Sequence, residues 1–192
     1  KQADELDART IEAELVAHSS GLKLLLSSAR PAEAELCMAP DVAEAIVERL
    51  ASLGRTVVMD LGTGLTSLNR RLVQLADQSV MVVEPQRTAL LMTHDLIQEM
   101  GELGLEQDRT SVVLVNRAQS NLQIAWQDAE QLVGHEILAI ISPAPDLAFQ
   151  AAEAGFPMIL YQPNSIAANQ LSRLAEEVAA RIRPVADEVA RI

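Results

Sequence analysis

Arg55-Thr-Val-Val-Met-Asp60-Leu-Gly-Thr-Gly-Leu-Thr66 is the stretch on which the reading of this chain turns. A short β-branched run ends in a carboxylate, and a glycine-rich loop follows at once. A run of that length reads as a buried strand of a parallel sheet, here Thr56 to Asp60. An acidic residue at the carboxyl end of a parallel strand faces the crevice where open α/β sheets bind ligands. There it can hold Mg²⁺ through a water, and Gly62 and Gly64 let backbone approach a phosphate. Asp is also a residue that strand-end turns favour, so from these residues alone both readings of Asp60 stand.

The length of 192 residues suits one large α/β domain spanning the whole chain, 1–192. The aromatics are Trp126, Phe149, Phe156 and Tyr161 alone. The core must therefore be built from Leu, Ile, Val and Ala, as helix-covered parallel sheets are. A formal net charge of −12 argues against nucleic-acid binding by the surface at large. Arg70-Arg71, the one adjacent basic pair, fits a solvated helix face better than a DNA contact. Cys37 is the sole cysteine, which excludes an intrachain disulfide or a cysteine-cluster metal site and fits a reducing cytosol. His18, His94 and His135 lack metal-ligand spacing, and Ser19 and Ser20 lack the setting of a hydrolase nucleophile. No apolar run is long enough for a membrane span, and no signal peptide is visible.

Apolar spacing predicts a helix from Asp4 to Ala17, a break at His18-Ser-Ser-Gly21 and a strand from Leu22 to Ser27. A loop from Arg30 to Pro40 leads to a helix starting at Asp41, with Glu44 completing a capping box. After the strand ending at Asp60, helices are expected at Ser67–Ala76, Thr88–Leu103, Leu122–Val133 and Leu147–Ala154, with Gly104 as a C-cap. Strands are expected at Ser79–Val83, Ser111–Val115, Glu136–Ile141 and, briefly, Met158–Leu160. From Ser165 onward the pattern is helical, with Pro184 dividing it. Strands alternating with helices imply right-handed crossovers and a three-layer α/β fold, a mostly parallel sheet with helices on both faces.

With the elements in order, the chain resembles the later part of the ParA/MinD family of P-loop ATPases, and within it the CpaE-like proteins of pilus assembly. Residues His18 to Leu26 resemble the family's strand entry, and Ala29-Arg-Pro-Ala-Glu-Ala-Glu-Leu36 the loop after it. Val57-Val-Met-Asp60-Leu-Gly-Thr-Gly64-Leu-Thr-Ser-Leu-Asn69 resembles the Walker B and switch II stretch. Ala76-Asp77-Gln-Ser-Val-Met-Val-Val83 is similar to the following strand, and Leu114-Val-Asn116-Arg117 to the strand end that faces adenine. Ile141-Ser-Pro143, Ala152 and Gly155-Phe-Pro157 resemble the closing segment beside the base. The resemblance implies ATP and Mg²⁺ as ligands and a homodimer that nucleotide closes. It casts Asp60 as the orienter of Mg²⁺-bound water and the catalytic position. Gly62, Gly64, Asn116, Arg117 and Pro143 become nucleotide-facing residues. Asn116 next to Arg117 can equally satisfy loop backbone by itself.

The sequence departs from the family pattern in three places. Lys1 and Lys23 are its only lysines, and neither lies in a G-x-x-x-x-G-K-[ST] loop. Gly62-Thr63 stands where switch II carries Pro, and Pro145 stands where the closing segment carries Asp. The chain opens at Lys1 inside a helical pattern, so the expectation is that a strand and P-loop precede it. The alternative is a non-hydrolysing relative that serves as a protein-interaction scaffold for pilus or secretion assembly. A membrane anchor at the C-terminus is not expected. Between Arg173 and Arg191 four Arg balance four acids, and no Trp or Phe lies on the apolar face.

Overall fold

Three runs of branched apolar residues after Ala76 pair side by side, and the rest of their unit is built on them. A computed structural model describes residues 6–30, 32–33, 39–117 and 124–182. The chain divides into two compact units, Lys1–Leu75 and Ala76–Ile192. Cys37, Pro184, part of the Ala29–Leu36 motif and the start of the helix expected from Leu122 lie outside the described residues.

In the Lys1–Leu75 unit the first helix, α1 (Ala8–Glu14), is shorter than its apolar spacing predicts. Asp7 caps its start by accepting the Thr10 N–H at 2.7 Å. Its end is set by Leu15, which is extended. Strands β1 (Val16–Ala17) and β2 (Lys23–Leu24) then form a two-residue antiparallel ladder. The expected strand Leu22–Ser27 is thus a hairpin arm only, closed by the His18 N–H to Leu22 carbonyl bond of 2.8 Å. Helix α2 (Pro40–Leu53) starts with proline in its first turn, where a missing N–H loses nothing. No capping box forms: the cap is Ala39, and the Glu44 carboxylate is engaged by Arg71 at 2.7 Å instead. That contact holds the Arg71 guanidinium more firmly charged, first by the hydrogen bond and then by Coulomb attraction. It also ties α2 to α3 (Ser67–Leu75). Thr56–Asp60 pairs with no strand among the described residues, and Val58 is 90% exposed. Composition made this run a strand candidate, but a strand exists only where a neighbour accepts its ladder.

The Ala76–Ile192 unit carries a parallel sheet in the order β3-β4-β5. β3 (Ser79–Val83) sets Ser79 opposite Thr110, and β4 (Thr110–Val115) sets Val112 opposite Ile137 on β5 (Ile137–Ile141). Helix α4 (Arg87–Glu102) crosses from β3 to β4, and α5 (Trp126–Val133) from β4 to β5. Gly104 follows the α4 cap residue Leu103, and the Leu105 N–H reaches back to Met100 at 3.2 Å. Val83, Val112, Leu114 and Ile137 from the sheet meet Leu90 and Ile97 of α4 and Ala129 and Val133 of α5 in one buried cluster. The other face of β4 is buried too, with Ser111 and Val113 each 1% exposed. Helix α6 (Pro145–Glu153), α7 (Met158–Tyr161) and α8 (Ile166–Arg181) complete the unit, α8 packing along β5. The fold is therefore the α/β architecture that the alternation predicts, a parallel sheet with helices. The expected strand Met158–Leu160 is α7, a single helical turn. Pro157 stands at its N-cap, and the Leu160 and Tyr161 N–H groups bond its carbonyl at 2.9 Å. A short apolar run does not by itself distinguish strand from helix.

Gly134 ends α5 at φ +68°, and a Cβ there would come 2.9 Å from His94 Nδ1. The same histidine nitrogen donates to the Val133 carbonyl at 2.9 Å, so α4 grips the end of α5. Glu130 links α5 to β5 by accepting the Ile137 N–H at 3.0 Å. That bond, with help from the Trp126 indole, holds the Glu130 carboxyl below its ordinary range.

Leu90→Ala is expected to destabilise the protein by about 2–5 kcal/mol in denaturant unfolding, since Leu90 is fully buried. Glu130 has a lowered folded pKa, so its stabilisation is present above about pH 4.5 and lost as pH falls through the folded value. Glu130→Gln should accordingly melt below the parent at pH 7, with the gap closing in acid below the carboxylate range.

Candidate functional site

All strands of a parallel sheet end on the same side, so β3, β4 and β5 deliver their C-terminal residues to one edge. Glu84 follows β3, Asn116 and Arg117 follow β4, and Ser142 and Pro143 follow β5. The Asn116 N–H donates to the Ile141 carbonyl at 3.1 Å, which carries the ladder one residue past β4. Arg117 Nη1 lies 3.1 Å from Glu84 Oε1, an exposed pair joining the ends of β4 and β3. Exposed pairs of this kind contribute little stability, but this one fixes where the guanidinium stands.

Behind Pro143 a polar clamp sets the loop. The Ser142 N–H donates to Gln170 Oε1 at 2.8 Å, and Gln170 Nε2 donates to Ser142 Oγ at 3.0 Å. Two bonds from one α8 side chain determine the path of the chain between β5 and α6. The structure thus brings Asn116, Arg117 and Pro143 to one sheet edge, and adds Glu84, Ser142 and Gln170 to it. Glu84 carried the same sequence signal as Asp60, a carboxylate at the end of a branched run before a turn. Gln170 carried none, being 28 residues from its partner.

Asp60, Gly62 and Gly64 lie in the other unit. Asp60 is exposed, and its Oδ1 accepts the Gly62 N–H at 3.0 Å, the bond of an Asx turn. Its second oxygen makes no hydrogen bond among the described residues. Gly62 and Gly64 have φ of +65° and +75°, the left-handed region that side chains disfavour. The loop is held from behind by Asn69 of α3, a buried residue to which the motif resemblance gives no role. Asn69 Nδ2 donates to the Leu61 carbonyl at 3.0 Å and to the Gly64 carbonyl at 2.8 Å. Its own N–H donates to Thr66 Oγ1, and Arg70 Nε donates to the Leu65 carbonyl. Arg70 and Arg71 are therefore both engaged within their own unit, at the loop and at Glu44.

Among the described residues no group of three or more His, Cys, Asp or Glu could hold a metal ion by itself. Asp60 offers a single carboxylate, already engaged at one oxygen by the Gly62 N–H. Lys23 is ion-paired with Glu12 at 3.6 Å and belongs to the β1–β2 hairpin. Among the described residues no helix is long and apolar enough to cross a membrane.

The geometry defines an open α/β fold with a parallel sheet, and solved structures make that more particular. No family model and no curated protein matches the sequence. A ParA family ATPase from Chlorobium tepidum TLS superposes with a TM-score of 0.80 at 20% identity, over 91% of this chain and 72% of that one. The cell division ATPase MinD of Pyrococcus furiosus gives 0.77 at 20% identity, over 93% and 73%. The septum site-determining protein MinD of Pyrococcus horikoshii OT3, complexed with Mg-ADP, gives 0.69 at 18%, over 98% and 72%. The chain has the fold of the ParA/MinD ATPases.

Asn69→Leu removes both side-chain donors from the loop while keeping the residue's size. It is expected to cost about 1–3 kcal/mol in unfolding of this unit and to raise amide exchange at Gly62 and Gly64, whereas Asn69→Gln should restore part of the protection.

Proposed function

We propose that the chain acts as a ParA/MinD-type nucleotide switch of the CpaE-like kind, a homodimer that ATP closes and hydrolysis reopens, serving pilus assembly or secretion. The observation that carries this reading is the fold likeness to ParA and MinD ATPases over more than nine-tenths of the chain. The collinear motifs from His18 to Pro157 support it. The Mg-ADP complex of one MinD neighbour supplies the ligand class.

In this reading Asn116, Arg117 and Pro143 flank the adenine at the sheet edge, with Gln170 setting the loop that carries Pro143. What supports contact with a base is placement: Asn116, Arg117 and Pro143 share the carboxyl edge of the sheet, and the Ser142–Gln170 clamp sets the loop that carries Pro143. Asp60 would help hold Mg²⁺, and the Gly62–Thr66 loop would lie beside the terminal phosphate. The phosphate cradle does not fit the lysines of this chain, because neither Lys1 nor Lys23 lies in a phosphate-binding loop. Bound Mg-ATP supplies the charge and the phosphate whose loss reopens the dimer.

A second reading is a pseudo-ATPase that keeps the fold as an interaction scaffold. It is favoured by Asp60 serving as a turn former to Gly62, and by Gly62-Thr63 standing where switch II carries Pro.

Calorimetric titration of Mg-ATP into the protein separates the two. The switch reading expects saturable binding with a shift to dimer in sedimentation. Asn116→Ala should weaken nucleotide binding tenfold or so, and Asp60→Asn should abolish its Mg²⁺ dependence. A protein that melts normally yet gives neither heat nor dimer with Mg-ATP would establish the scaffold instead.

A further inference from the structure

Aromatic side chains are the most valuable core fillers a chain has, yet all four here are on the surface. Trp126, Phe149, Phe156 and Tyr161 are 51, 67, 46 and 43% exposed. Three of them fall on consecutive elements, α6, α7 and the turn between, where Ile159, Leu160 and Ile166 are exposed as well. Soluble surfaces scatter their apolar residues singly, and a run of six over two helices and the first turn of a third marks an interaction site. α6 shows how the exposure arises. Leu147 and Ala151 form its buried stripe, four residues apart. Asp146, Phe149 and Glu153, spaced by three and four, form an opposite stripe that faces outward.

The charges say what fits there. Phe149 is bracketed along its stripe by two exposed carboxylates, neither of which forms an ion pair among the described residues. From Pro145 to Ser172, the span of α6, α7 and the first turn of α8, the sequence holds Asp146 and Glu153 and not one Lys or Arg. An anionic membrane or a nucleic acid would be repelled by such a face. A two-fold contact with a second copy would set the same acids against one another. An apolar stripe flanked by Lys and Arg satisfies both the aromatics and the carboxylates.

We propose that the face formed by α6, α7 and the first turn of α8 docks a basic amphipathic helix of a protein partner. Phe149 is the central anchor, as buried aromatics are in helix-in-groove contacts. Asp146 and Glu153 set orientation and on-rate by pairing with the partner's cations. The face lies wholly in the Ala76–Ile192 unit and calls on no nucleotide, so its failure would leave the preceding reading intact.

Fluorescence anisotropy of a labelled Leu/Lys amphipathic peptide, against a Leu/Glu peptide with the same apolar stripe, tests it on the full chain. The Leu/Lys peptide is expected to bind and the Leu/Glu peptide not to. Phe149→Ser should weaken binding roughly tenfold or more, with an unchanged melting curve because Phe149 is two-thirds exposed. Asp146→Asn with Glu153→Gln should weaken it several-fold and flatten its salt dependence. Equal binding of both peptides, or Phe149→Ser binding as the parent does, would overturn the proposal. So would a dimer that Phe149→Ser dissociates in the absence of peptide, or capture by anionic phospholipid vesicles that depends on Phe149.

Discussion

Thr110 to Leu114 of β4 are buried on both faces, and a backbone so placed must find all its hydrogen bonds within the protein. β3 and β5 supply them from either side, in parallel. Parallel pairing cannot be closed by a tight turn, so each strand must be followed by a crossover, and α4 and α5 are those crossovers. Their apolar stripes then cover the Val112–Leu114 face of the strand they connect. The same parallel direction sends Glu84, Asn116 and Ser142 to one edge. The candidate base-side site is therefore a consequence of how β4 is satisfied rather than a separate invention of the loops.

Once the strand ends are gathered, what remains is to hold irregular backbone still at an exposed edge. The protein does this with side-chain amides. Gln170 donates and accepts at Ser142, and Asn69 donates twice into the glycine loop of the other unit. An amide that is part-buried and doubly bonded confines a loop more tightly than a solvated ion pair does. Arg117–Glu84 is such an exposed pair, and it serves position more than stability.

The scarcity of aromatics made Leu, Ile, Val and Ala the expected core, and the buried cluster contains nothing else. Placing all four aromatics outside the core separates two roles. Branched aliphatic residues fill the narrow space between sheet and helices. Large flat side chains remain at the surface.

The features of this protein that have a local cause are legible in its residues. Alternation of branched runs and helical spacing marks β3, β4, β5 and the helices α3 to α6 and α8 within a few residues, because periodicity and caps act over a turn or two of chain. It also puts Asn116, Arg117 and Pro143 at strand ends, where a parallel sheet makes one edge. Whatever depends on a partner distant in sequence was settled by folding instead. Thr56–Asp60 has a strand's composition but forms no ladder among the described residues. Of Leu22–Ser27 only Lys23–Leu24 pairs, with β1. Glu44 left its own helix start for Arg71, and Gln170 reached Ser142 across 28 residues. Each of these outcomes is a competition between local preference and a long-range hydrogen bond or burial, and only the folded chain brings the competitors together.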